Sequence, residues 1–231
     1  MNVQEATTRR LPDLKERHLP ENCRETINTI LKETYGYEQF RNLEIYDDLS
    51  KGKEKLCISQ GQLIENVILE AEKAWKGETQ VDNILLTAPT GSGKSLLFQL
   101  PAIYLGKEYN LLTIVVSPLK ALIVDQVESL QELGYTRVAY ASSDLSPEQK
   151  MEVYRQVREG EIDLFYLSPE LLLSYDIKHF VGERRIGLVV VDEAHTVTTW
   201  GKEFRVDYWF LGRYLNTLKQ TLGYNFPLFA L

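Results

Sequence analysis

Two apolar runs, Thr113-Ile-Val-Val116 and Gly187-Leu-Val-Val-Val191, restrict the folds open to this chain more than any other feature. A strand with one wet face alternates apolar and polar side chains. These runs do not, so both of their faces must be covered. Four further segments have strand character: Ile84–Ala88, Arg137–Tyr140, Ile162–Leu167 and Phe226–Leu231. Longer amphipathic segments separate them, among them Leu119–Leu133 and Pro147–Glu159. This alternation predicts an α/β fold over residues 81–231, a mostly parallel sheet flanked by helices.

Residues 1–80 read as a helical N-terminal extension. Pro20 and Glu21 are placed to open a helix that runs toward Tyr35 and stops at Gly36. A second helix is expected from about Gln60 to Lys76, with Leu63, Val67 and Ala71 on one face and Gly77 ending it. Between them, Ser50-Lys-Gly-Lys-Glu-Lys55 has the character of an exposed loop.

Inside the α/β part, Ala88-Pro-Thr-Gly-Ser-Gly-Lys-Ser95 joins the first strand to a helix. Backbone N–H groups of Gly91, Ser92, Gly93, Lys94 and Ser95 can curl around a nucleotide β-phosphate, because Gly91 and Gly93 permit turns a Cβ would obstruct. The helix N-terminus adds positive potential. Lys94 is suited to the β/γ oxygens, the Ser95 hydroxyl to Mg²⁺, and Thr90 completes the loop. Farther on, Leu188-Val-Val-Val-Asp192-Glu-Ala-His195 sets two carboxylates just past a buried strand, the edge where parallel sheets bind ligands. Asp192 is suited to hold Mg²⁺ opposite Ser95, and Glu193 to orient or deprotonate an attacking water.

Asp192-Glu-Ala-His195 together with Ala88–Ser95 resembles the signature of superfamily-2 DExH-box helicases, in which Ala is a common first residue of the phosphate loop. The surrounding residues look most like the RecQ family. Val115-Val-Ser-Pro-Leu119 with Asp125-Gln126, Tyr166-Leu-Ser-Pro-Glu170, and the aromatic Trp200-Gly-Lys-Glu-Phe-Arg205 resemble its nucleic-acid motifs. Phe229-Ala-Leu231 resembles the start of motif III, whose continuation the chain lacks. The resemblance covers residues 81–231 and implies the first of two RecA-like P-loop NTPase domains, truncated at motif III. It further implies ATP and Mg²⁺ as cofactors, single-stranded or forked DNA as partner, a missing second RecA-like domain, and coupling of ATP hydrolysis to DNA unwinding. His195 takes a coupling role toward motif III. Helicases of this type read adenine with an upstream Gln. Tyr35-Gly-Tyr-Glu-Gln-Phe-Arg41 resembles the stretch before it, yet Glu44 stands where the Gln belongs, so an insertion after Arg41 would make Gln62 the reader.

Nucleic acid is expected above the strand ends, at Ser117, Lys120, Gln126 and Ser168, with bases stacking on Trp200 or Phe204 and Arg205 on a phosphate. Two blander readings stay open: the Ser-Pro pairs start helices, and the aromatics pack beneath the next helix. An RNA helicase or an ATP-switched module that docks protein through residues 1–80 are the alternative functions. Net charge is −7, from 26 basic and 33 acidic residues, so nucleic acid would need a local basic groove. Two widely spaced cysteines and no apolar stretch of about 20 residues suggest a protein away from membranes, in the cytoplasm with the nucleoid or in a nucleus.

Overall fold

The computed structural model of the protein describes residues 22–46, 55–88, 91–194 and 206–231. All six expected strands are present: β3 (Ile84–Leu85), β4 (Leu112–Val116), β5 (Val138–Ala141), β6 (Leu164–Leu167), β7 (Ile186–Val191) and β8 (Leu228–Ala230). They form one sheet in the order β3-β8-β7-β4-β6-β5, every neighbouring pair parallel. Successive side chains point to opposite faces, and both faces are dry. Val115, Leu164, Tyr166, Leu188 and Val190 enter one core cluster. Ile114, Val116, Phe165, Leu167 and Val189 enter the other. That is the physical reason the runs lack polar alternation.

Helix α3 (Lys94–Tyr109) fills the first cluster, with α4 (Lys120–Glu132) beside it. Helices α5 (Pro147–Arg158), α6 (Pro169–Ser174), α7 (Ile177–Val181) and α8 (Val206–Leu222) cover the other face. Ser146 and Gln149 close a capping box on α5, and the Ser168 side chain accepts from Leu171 N to cap α6. Of the two expected Ser-Pro starts, Ser168-Pro169 does open a helix, whereas Ser117-Pro118 does not: α4 starts at Lys120 after Leu119, with no side-chain cap.

The N-terminal helices α1 (Glu25–Tyr35) and α2 (Gln60–Trp75) share the first cluster: Ile27, Leu31, Ile64 and Ile68 are buried with Phe98 and Ile103. Arg24 fastens them. Its guanidinium pairs with Glu65 and with Glu72 at 2.6 Å and donates to the Tyr104 hydroxyl, joining the start of α1 to α2 and α3. Helix content alone does not describe this region. Strands β1 (Asn42–Tyr46) and β2 (Lys55–Ser59) form an antiparallel hairpin, Asn42 opposite Ser59 and Tyr46 opposite Lys55. Each is five residues long, and the buried pair Leu43 and Ile58 is set among polar neighbours, so neither carries a long apolar signal in sequence. Lys55, expected in a loop, belongs to β2; residues 47–54 lie outside the described residues. Among the described residues, no helix is long and apolar enough to cross a membrane.

Candidate nucleotide site at the strand ends

Strands β3 and β7 flank β8, and all three run parallel, so the loops after β3 and β7 emerge at the same edge. The first carries the glycine-rich loop. Gly91 and Gly93 take φ of 80° and 77°, the left-handed region in which an L side chain is strained. Gly93 caps α3 without any side-chain hydrogen bond, leaving the helix N-terminus to an anion. Lys94 and Ser95 open the helix, both half-buried. Pro89 and Thr90 lie outside the described residues.

The loop is braced from the N-terminal region. Gln60, 1% exposed, donates Nε2 to the Ser92 carbonyl at 3.0 Å, and its Oε1 accepts from Arg41 N at 3.2 Å. A Cβ at Gly93 would approach Gln60 Nε2 to 2.7 Å, so Gly93 is needed for space as well as for φ. Beside the loop opens a cavity of about 400 Å³, lined among others by Tyr37, Arg41, Gln60, Ser95, Leu96 and Gln99. The volume suits a small-molecule ligand. Tyr37 stacks on Tyr35 at 6.3 Å and leaves half of its surface exposed, a ring face available to a base.

Gln62 is placed differently from the sequence expectation. Its Oε1 accepts from Ser59 N at 3.0 Å, the return bond of the capping box that starts α2, and it does not line the cavity. Gln60, two residues earlier, faces the phosphate loop instead. The β1–β2 hairpin separates it from Arg41 in sequence, and pairing across the hairpin base brings the two together: Gln60 N donates to Arg41 O at 2.9 Å.

At the end of β7 the Asp192 carboxylate is held by two hydrogen bonds. Ser117 Oγ donates to Asp192 Oδ2 at 3.1 Å and Glu193 N to Asp192 Oδ1 at 3.0 Å. The backbone turn is tied on both sides: Asp192 N to Val116 O at 2.9 Å, Ala194 N to Leu231 O at 2.7 Å. Glu193 has φ 52°, uncommon for a residue with a Cβ, and such strain persists only where surroundings impose it. Burial pushes the Asp192 carboxyl above its usual range. Neighbouring Glu193 adds to this, while the Ser117 bond and the Lys94 charge oppose it. A site that raises a carboxyl's proton affinity is one that a cation would relieve. The oxygens of Asp192 and Ser95 are hard donors of the kind Mg²⁺ takes together with substrate phosphates.

The expected nucleic-acid contacts fare unevenly. Ser117 is 1% exposed with its hydroxyl on Asp192, so it serves the carboxylate and not an external phosphate. Lys120 pairs with Asp144 in an exposed ion pair, which leaves it at the surface. Gln126 accepts from Gln99 Nε2 at 2.8 Å, and Ser168 caps α6. His195, Trp200, Phe204 and Arg205 lie outside the described residues.

A family model described as DEAD/DEAH box helicase matches residues 63–224. The chain belongs to that family. As a helicase domain it has RecQ homologues. It is 30% identical over 187 residues to the ATP-dependent DNA helicase RecQ of Haemophilus influenzae, covering 81% of this chain and 25% of that protein. With the ATP-dependent DNA helicase RecQ of Synechocystis sp. it shares 33% over 202 residues, covering 87% and 35%. The helicase domain thus spans a quarter to about a third of the length of these curated relatives. Among solved structures, the DUF1998 helicase MrfA bound to DNA and AMPPNP superposes with a TM-score of 0.57 at 21% identity, over 93% of this chain and 26% of that one. The likeness establishes a RecA-like fold, and nucleotide use is a property of the family.

Two residues that line the cavity, Gln60 and Gln99, belong to no motif legible in the sequence. Gln60 was masked by Gln62 in the run Ser59-Gln-Gly-Gln62, where spacing favours either. Gln99 is a lone polar residue in the apolar run Leu96–Pro101, and that isolation is itself a signal, since a buried amide must be bonded to something.

Proposed function

We propose that this chain is the first motor lobe of an ATP-dependent DNA helicase of RecQ type. The observation that carries the reading is the meeting, at one sheet edge, of the Gly91–Ser95 loop and the strained Asp192–Glu193 turn, beside the cavity walled by Tyr37 and Gln60.

The base of ATP stacks on Tyr37, with Gln60 and Arg41 at its edge, and the phosphates lie on the N-terminus of α3 under Lys94. Ser95 and Asp192 would hold Mg²⁺, which would supply charge neutralisation for the transferring phosphoryl group. Glu193 orients the attacking water and accepts its proton. The match takes up only 25% and 35% of these relatives, and we place their remaining length partly in a second RecA-like lobe that closes over the nucleotide. An arginine from such a lobe is worth roughly 10³–10⁵ in kcat. Residues 1–231 alone therefore bind ATP and hydrolyse it very slowly. DNA runs across the strand ends above Gln126 and Ser168.

The test compares ATP turnover by the full-length protein with single-stranded DNA, duplex DNA and RNA. Stimulation by single-stranded DNA, lost in Lys94→Ala, supports the reading. Stimulation by RNA alone makes it an RNA helicase, and nucleotide binding without stimulated turnover makes it a switch module.

A further inference from the structure

The carboxamide of Gln99 is the junction of three elements. It sits one turn after Ser95 on α3, is 5% exposed, and lines the nucleotide cavity. Its Oε1 accepts from the Tyr35 hydroxyl at 2.8 Å. Its Nε2 donates to Gln126 Oε1 at 2.8 Å and to the Tyr166 hydroxyl at 3.3 Å. An amide has two N–H donors, and both are engaged.

We propose that Gln99 is a positioning residue through which occupancy of the nucleotide cavity and occupancy of the strand-end nucleic-acid surface sense one another. The three partners mark the ends of the connection. Tyr35 ends α1 and runs directly into Gly36 and Tyr37 on the cavity wall. Gln126 lies on α4, the helix that follows β4 and the Ser117–Lys120 turn. Tyr166 lies on β6, two residues before Ser168. Within a dry core an amide whose donors are both engaged cannot drift. A ligand that shifts Tyr35 or attracts the Gln99 carbonyl rotates the whole planar group and breaks a bond on α4 or β6. An unpaired buried partner is costly, so the rearrangement is discrete and not gradual. The third arm extends toward the carboxylates: burial pushes the Tyr166 phenol upward, and the Asp192 charge adds to the effect while the Gln99 bond opposes it. The junction thus joins the base side of the cavity, through Tyr35, to α4 and to β6, the helix and the strand that border the nucleic-acid edge.

This inference rests on the reading that ATP and DNA occupy those two places, and linkage supplies a test that separates the two claims. If nucleotide changes DNA affinity by some factor, DNA changes nucleotide affinity by the same factor. Affinities of a fluorescent non-hydrolysable ATP analogue with Mg²⁺, and of labelled oligothymidylate, are measured on the full-length protein, each with and without the other ligand. Gln99→Met keeps the volume and deletes all three hydrogen bonds. Tyr35→Phe keeps the ring stack on Tyr37 and deletes only one, so it serves as the milder variant if Gln99→Met misfolds. The expected result is that both variants still bind each ligand, while the coupling factor moves toward one by roughly 2- to 30-fold, the span seen for substitutions along coupled networks. A merely structural role would weaken both affinities or stability and leave the factor intact. That outcome, or a wild-type factor of one with both ligands bound, overturns the proposal. Absence of any DNA binding by the wild type would instead sink the functional reading, and this inference with it.

Discussion

Asp163 and Asp192 sit at opposite ends of one sheet and are held in opposite ways. Asp163 precedes β6, is wholly buried, and accepts four hydrogen bonds: from Tyr135 at 3.0 Å, from Arg137 at 2.6 and 2.9 Å, and from Arg184 at 2.8 Å. Its charge is met by two guanidiniums, and Gly106 packs so close that a Cβ there would overlap the carboxyl at 2.2 Å. Asp192 follows β7. Its recorded hydrogen bonds come from the Ser117 hydroxyl and the Glu193 amide, next to another carboxylate and a left-handed turn. One end of the sheet spends its charges on holding the fold. The other stays in a state that burial disfavours, which is the condition of a site kept ready for a cation and a phosphate.

The contrast can be broken at either end. The largest effect is expected at Glu193: Glu193→Gln in the full-length protein should lower ATP hydrolysis by roughly 10²–10⁴ with nucleotide affinity within a few-fold, read by single-turnover kinetics beside equilibrium binding. A loss of affinity in proportion to rate would remove its proton-accepting role. Next comes Asp163→Ala, which strands Arg184, 4% exposed, without its carboxylate. A cost of about 3–5 kcal/mol is expected, visible in urea denaturation, with nucleotide affinity of the folded fraction unchanged. If Asp163→Ala is mild, the division between the two ends fails.

Asp192→Asn should behave in the reverse sense. The native state holds a proton on Asp192 more tightly than the unfolded chain does, because its carboxyl lies above the ordinary 3.8. Stability from this group is therefore greatest at acid pH and falls as pH rises from 3.8 through the folded value. In the absence of Mg²⁺ the Asn variant should gain on the order of 0.5–2 kcal/mol at pH 7, a gain that shrinks toward acid pH so that its acid limb in thermal melts is steeper, while Mg²⁺-dependent hydrolysis is lost. The smallest effect belongs to Gln62→Ala, about 1 kcal/mol from the broken capping box, with unaltered ATP affinity; Gln60→Ala should weaken ATP binding instead. Interchange of those two results would return the adenine role to Gln62.

What sequence disclosed follows from distance along the chain. The strands were legible because Ile114 to Val116 and Leu188 to Val190 are buried by their own composition, and the phosphate loop because its chemistry is local. The bond of Ser117 to Asp192 spans 75 residues and exists only because β4 and β7 pair side by side. No local pattern distinguishes a serine facing DNA from one facing a neighbouring strand. The same holds for Gln99, whose partners come from α1, α4 and β6. Arg41 and Gln60 were obscured differently, since the hairpin between them displaced the expected spacing without moving either residue from the cavity.

That hairpin has a consequence for how much change the cavity wall tolerates. Arg41 and Gln60 face each other as the rung below Asn42 and Ser59, so the cavity wall is closed by a clasp whose two halves meet whatever length of ribbon is looped out beyond them. A change in the ribbon beyond this rung is expected to leave the base, and with it the cavity wall, in place.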